Sequence, residues 1–222
     1  MEKKELVKRY LIFLAGLFVN ALGVAFVTKA DLGTSPISSI PYVLSMKFPW
    51  TIGQFTIAFS LLLVGMQIVL LRKKFQAVQL LQIPVSILFG YLIDFSMDTL
   101  LYWMKPEHYA AKLMFLAVGC IILGFGVFLE VLGNVVMLPG EGVTRAISQC
   151  LDKDFGTIKV TVDVSMCVIA LLLSLILFHE VRGVREGTIA AALLVGFLSR
   201  TYGKIFTGKR VKRKKELLWN TL

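Results

Sequence analysis

Residues 137–149 read MLPGEGVTRAISQ. Proline and two glycines break the backbone, and a carboxylate, Glu141, stands at the break. A related stretch, KADLGTSPISSIPYVLSMK, covers residues 29–47. In each, turn residues lead to a proline, Pro139 or Pro36, where a new helix begins. Proline suits the first helical position because its missing N–H has no intrahelical partner there. Thr34 or Ser35 is placed to cap the first of these helices. The helical stretches that follow, 36–46 and 139–151, run for about eleven residues, or roughly 16 Å. That is about half of a hydrocarbon core, too short to cross it.

The chain around these breaks is unusually apolar. Of its 222 residues 57% are hydrophobic and 17% charged, with a mean hydropathy of +0.78. Soluble domains carry roughly 45–50% apolar and about 25% charged residues. Six apolar runs are long enough to span a bilayer: 10–28, 51–71, 80–101, 113–136, 160–178 and 188–206. The first follows a charged start but is too long for a signal-peptide core and lacks a small-residue cleavage site. The fold class expected is an all-α polytopic membrane protein without a soluble domain.

The formal net charge is +10. With the N-terminus placed inside, sixteen Lys and Arg fall on the inner side and six on the outer. This asymmetry predicts that both termini face the cytoplasm. The basic stretch within 207–222 then reads as a contact for anionic lipids. Nucleic acid is not expected as a partner. Cys120, Cys150 and Cys167 form no motif, and His108 and His179 lie far apart, so neither cofactor nor metal is expected.

Shifted by 103 residues, the chain matches itself: Gly16 with Gly119, Gly23 with Gly126, Pro36 with Pro139, Ser45 with Ser148 and Gly53 with Gly156. After three inserted residues Ile83 meets Ile189, Leu88 meets Leu194, Gly90 meets Gly196 and Leu92 meets Leu198. Residues 1–103 and 104–206 thus read as two repeats of three spans, each with a short broken helix after its first span. Three is odd, so the second copy enters the membrane inverted, a common transporter plan with its site between the halves. Duplication retained for packing alone is the plainer alternative. The broken helices either lie flat at the interface or dip in and return under cover of protein or a wet cavity.

Charges at membrane depth are costly and mark function or structural locks. Lys159 and Asp163, four apart, share a helix face and can pair. Glu141 lies where a helix N-terminus favours a carboxylate, and Arg145 follows it by four. Glu141, Lys159 and Asp163 are expected to line a cavity near the repeat interface, where a carboxylate can carry a proton. A charge network that only locks the second broken helix is the competing reading. The first half offers neutral groups instead: Ser38, Thr56, Asn20 and Gln54. Glu130 and Arg200 read as interfacial, and Asp31 as external.

The segments LGVAFVTKADLGTSP, TIGQFTI, LPGEGV, TIKVTVDV with its Lys–Asp pair, and REGTIAAALLVG together resemble the YczE/YyaS/YitT-type bacterial integral membrane proteins. The resemblance implies a small polytopic protein of the bacterial cytoplasmic membrane. It marks Glu141, Lys159, Asp163 and Glu186–Thr188 as motif positions. Three functions compete. One is a secondary transporter of a small polar or anionic solute, rocking one half against the other. Another is a substrate-capture subunit for a separate ATPase, since this chain has no Walker motif. The third is a non-transporting scaffold or regulator. No catalytic signature is present, so an enzyme is not expected. A bundle this small leaves room for a homodimer.

Overall fold

A computed structural model describes residues 3–207, with α-helices in the order α1 (Lys3–Lys29), α2 (Pro36–Ser45), α3 (Ile52–Leu71), α4 (Gln82–Phe95), α5 (Tyr109–Gly133), α6 (Pro139–Leu151), α7 (Phe155–Phe178) and α8 (Glu186–Thr207). Among the described residues there is no strand, and six helices are long and apolar enough to cross a membrane. The basic stretch at 209–215 lies outside the described residues.

Local chemistry sets the ends. Thr51 and Gln54 form a reciprocal capping box at the start of α3, and Asp154 accepts the Thr157 N–H at 2.9 Å to start α7. Asn134, Asp152 and His179 end α5, α6 and α7 in left-handed conformations, at φ 47°, 51° and 57°. The third span departs from the expected 80–101. Two 3₁₀ turns, Arg72–Lys74 and Ala77–Leu81, precede α4, and a π turn, Ser96–Leu100, follows it. Pro84 falls in the first turn of α4, where its missing donor is tolerated. The fourth span runs 109–133 rather than 113–136, because Asn134 turns the chain.

The tightest packing joins α1 to α5. A Cβ added to Gly16 would lie 2.8 Å from Glu130 N, and one on Gly23 would lie 2.5 Å from Leu123 N. A Cβ on Gly119 would lie 2.9 Å from Val27 N, and one on Gly126 would lie 2.6 Å from Asn20 Cα. Residue numbers rise along α1 as they fall along α5, so the two helices run antiparallel. The contacts are reciprocal under the 103-residue shift, about a point between Ala21–Leu22 and Gly124–Phe125. Small residues permit this approach where lipid supplies no hydrophobic drive to pair helices.

Two large cores result, beside a small cluster of Ala25, Leu101 and Met104, and the large ones do not follow the chain halves. Leu17, Val24 and Val27 of α1 pack with Phe89 and Ile93 of α4, Leu116 and Leu123 of α5, and Ala191 of α8. The other core joins Ile40 and Val43 of α2, Leu63 of α3, Val143 of α6, and Ile158, Val162, Met166 and Ala170 of α7. The short helices cause the regrouping: α2 lies against α7 and α6 against α3, each crossing to the other half. The chain therefore divides into body A (α1, α4, α5, α8) and body B (α2, α3, α6, α7). The two bodies are joined directly where α3 packs on α4.

Candidate functional site

The first turns of α2 and α6 meet. A Cβ on Gly140 would lie 2.5 Å from Ile37 Cδ1, and these two residues correspond under the 103-residue shift. Pro36 and Pro139 occupy the first helical positions, and the preceding Ser35 and Leu138 are extended. Neither provides a side-chain cap. The hydroxyls expected to cap α2 go elsewhere: Ser35 Oγ donates to Ser38 Oγ at 2.9 Å, and Thr34 Oγ1 shares a 2.8 Å bond with Thr28 Oγ1.

Each start is held by polar groups of the opposite half, α3 with α4 at α6 and α8 at α2. At α6, the buried amides of Gln67 and Gln82 exchange two hydrogen bonds, of 3.0 and 3.1 Å, and Gln67 Nε2 also donates to Pro139 O at 3.3 Å. A Cβ on Gly142 would strike the Gln67 amide. At α2, Thr34 N donates to Thr188 Oγ1 at 3.3 Å, and Gly187 N donates to Leu32 O at 2.8 Å. Gln82 and Thr188 are equivalent under the 106-residue shift. These equivalent positions thus both carry buried polar side chains, with different partners.

The charged residues fall into two groups. Asn20 Nδ2 donates to Glu130 Oε1 at 2.8 Å, and both side chains are buried. Glu141 is half-buried in the first turn of α6. Lys159 Nζ donates to Asp163 Oδ1 at 2.8 Å, with side-chain exposures of 29% and 20%. The expected Lys159–Asp163 pair is therefore made. Glu130, read from the sequence as interfacial, is buried under α1, which offers it the Asn20 amide.

Among the neutral residues, Ser38 and Thr56 are buried, and Thr56 Oγ1 donates to Ile52 O of its own helix at 2.8 Å. Gln54 is exposed and occupied by the Thr51 capping box. Arg145 is half-buried and reaches Met137 Sδ with Nη1 at 3.8 Å. A separate cleft of about 200 Å³ opens among Trp50, Thr51, Asp94 and Asp98. Among the described residues no three His, Cys, Asp or Glu side chains gather as a metal would need. Gln67 and Gln82 escaped the sequence reading, and so did the Asn20 partner of Glu130. Their signal was a lone polar residue inside an apolar run, which by itself gives no partner. These polar groups stand at separate places: Asn20–Glu130 between α1 and α5, Gln67–Gln82 between α3 and α4, and Lys159–Asp163 on α7.

The chain belongs to the family of unknown function DUF6198, whose model matches residues 7–204. It is 28% identical over 148 residues to the uncharacterized membrane protein YczE of Bacillus subtilis, covering 66% of each chain. It is 23% identical over 143 residues to the uncharacterized protein YyaS of the same organism, covering 63% of this chain and 68% of that one. The chain thus spans about two thirds of the length of these curated relatives. No solved structure matches it.

Proposed function

We propose that this DUF6198 membrane protein is a secondary transporter of a small polar or anionic solute. In this reading it is built as two inverted repeats in the bacterial cytoplasmic membrane, with both termini inside. The observation that carries the reading is the abutment of the α2 and α6 starts at Ile37 and Gly140, flanked by buried polar joints. Discontinuous helices whose N-termini converge near mid-membrane are a recurrent way of building a solute site.

Depth supports it. The reciprocal point of the α1–α5 crossing is the natural midplane of an inverted pair. From there α1 continues only to Lys29, about 11 Å at 1.5 Å per residue. That is less than half of a hydrocarbon core about 30 Å thick. On this reading the break that follows lies at membrane depth, and the burial of Ala30, Leu32 and Thr34 under protein agrees with what such a break requires. The re-entrant reading of the short helices is favoured over the flat one. Glu130, Glu141 and Asp163 are the candidate proton or solute carboxylates, with Lys159 as the cation.

The test is a thermal-shift screen of small amino acids, carboxylates and amines on detergent-purified protein, followed by uptake into ATP-free proteoliposomes. A stabilising solute that is also taken up, with both effects lost in Asp163→Asn or Glu141→Gln, is the expected result. Normal uptake in both variants refutes the site. Uptake that requires an added ATPase module gives the capture-subunit function instead. Silence of every solute, with wild-type folding of both variants, points to the scaffold or regulator.

A further inference from the structure

Bodies A and B meet unequally at two places that the repeat makes equivalent. On one side α3 packs along α4. A Cβ on Gly90 would lie 2.5 Å from Ile57 Cγ1 and 2.6 Å from Gly53 O. Asp94 of α4 latches this contact, accepting Thr51 Oγ1 at 2.6 Å and Gly53 N at 2.8 Å. On the other side α7 and α8 do not pack along their lengths. Gly156, equivalent to Gly53, has only its neighbour Asp154 in reach, and Gly196, equivalent to Gly90, meets nothing within 4 Å. Val160, equivalent to Ile57, is 64% exposed.

The unused surface keeps the chemistry of the used one. The shift that maps Thr51 onto Asp154 and Asp94 onto Arg200 turns a hydroxyl–carboxylate latch into a carboxylate–guanidinium pair. Among the described residues neither Asp154 nor Arg200 makes an ion pair. Lys159 and Asp163, three and seven residues beyond Gly156, lie on the same face of α7, as Thr56 and Ser60 do beyond Gly53. Thr56 and Ser60 are buried, whereas the Lys159–Asp163 pair at the equivalent positions of α7 is part-exposed.

We propose that the α7–α8 gap is the open gate of one of two states, and that the second state closes it as α3–α4 is closed here. In that state Val160 covers Gly196, Asp154 pairs with Arg200, and the Thr51–Asp94 latch parts. Bodies A and B rock about the two buried polar joints that flank the short-helix starts, Gln67–Gln82 and Thr34–Thr188. Closure covers the Lys159–Asp163 pair, giving the carboxylate and ammonium access to one side at a time. This inference rests on the transporter reading, from which it takes the sides: the gap between the start of α7 and the end of α8 faces inward.

The test measures distances by pulsed electron paramagnetic resonance on full-length protein in lipid nanodiscs. The background carries Cys120→Ala, Cys150→Ser and Cys167→Ser. Spin-label pairs sit at Lys153 and Lys204 for the inner gap, and at Phe48 and Thr99 for the outer contact. Two populations are expected in each pair, with the inner distance short when the outer is long. Arg200→Ala should deplete the short inner population about two- to fivefold, the range for an exposed ion pair. Asp154→Arg combined with Arg200→Asp should restore it, and Asp94→Asn should enrich it. A single inner distance unmoved by Arg200→Ala and Asp94→Asn overturns the proposal. So does an inner distance that disappears on dilution with unlabelled protein, since a second copy then fills the gap. If the distances stay fixed while solute uptake depends on Asp163, the rocking fails and transport stands. If they alternate while no solute moves, the rocking stands and transport fails.

Discussion

Alanine at Gly23 and at Gly65 should have opposite effects. Both glycines are in helices, but a Cβ on Gly23 would lie 2.5 Å from Leu123 N and 2.6 Å from its Cα, while Gly65 has nothing within 4 Å. Ordinary contact needs about 3.4 Å, so α1 and α5 must separate by about 0.9 Å at Gly23. Overpacking of this size costs about 1–3 kcal/mol. At Gly65 the same change removes a flexible residue and is stabilising by roughly 0.5–1 kcal/mol. Gly126→Ala, the repeat counterpart of Gly23→Ala, should cost a similar amount, because its Cβ would lie 2.6 Å from Asn20 Cα. The double variant should cost little more than the worse single one. Both clashes act between the same two helices, and one retreat relieves both. The assay is thermal unfolding in detergent, followed by size-exclusion chromatography of heated samples. Gly23→Ala as stable as Gly65→Ala, or two costs that add in full, would refute the antiparallel α1–α5 contact.

Gln67→Leu or Gln82→Leu alone should destabilise by about 1–3 kcal/mol, since each leaves a buried amide unpaired, and the double change should recover most of that. Thermal midpoints of the three variants decide it. Thr188→Val removes the acceptor for Thr34 N at the start of α2 and should cost about 1 kcal/mol. It should also speed hydrogen exchange at residues 33–38, as read by mass spectrometry. Asp163→Ala should destabilise by about 1.5–3 kcal/mol, because Lys159 loses its partner within an apolar helix. Lys159→Thr with Asp163→Ser, which installs the groups of Thr56 and Ser60, should restore the thermal midpoint but not solute binding.

Composition, periodicity and chain turns acted locally, and they were legible. The six apolar helices follow from run length, because a helix satisfies its own backbone wherever the solvent is lipid. The broken helices follow from Pro36 and Pro139, and α6 falls at 139–151 as expected. The Lys159–Asp163 pair follows from four-residue spacing on one helix. What required tertiary structure was every contact between distant residues. Glu130 looks interfacial until α1 brings Asn20 to it, 110 positions away in the chain. Gln67 and Gln82 look like isolated polar residues until α6 sets Pro139 beside them. Ser35 looks like a cap until its hydroxyl turns to Ser38.

The sequence by itself determined an all-helical chain with six helices apolar enough to span a membrane, because the requirements behind those features are met within a helix or a turn. Only the tertiary structure decided that α2 and α6 cross to the opposite halves and divide the molecule into bodies A and B. It alone decided that α3 packs on α4 while α7 stands away from α8. Both repeats carry the glycines for close packing, so local chemistry is nearly balanced between the two places. Which of them is closed depends on how whole bodies pack, a quantity that no single stretch of sequence contains.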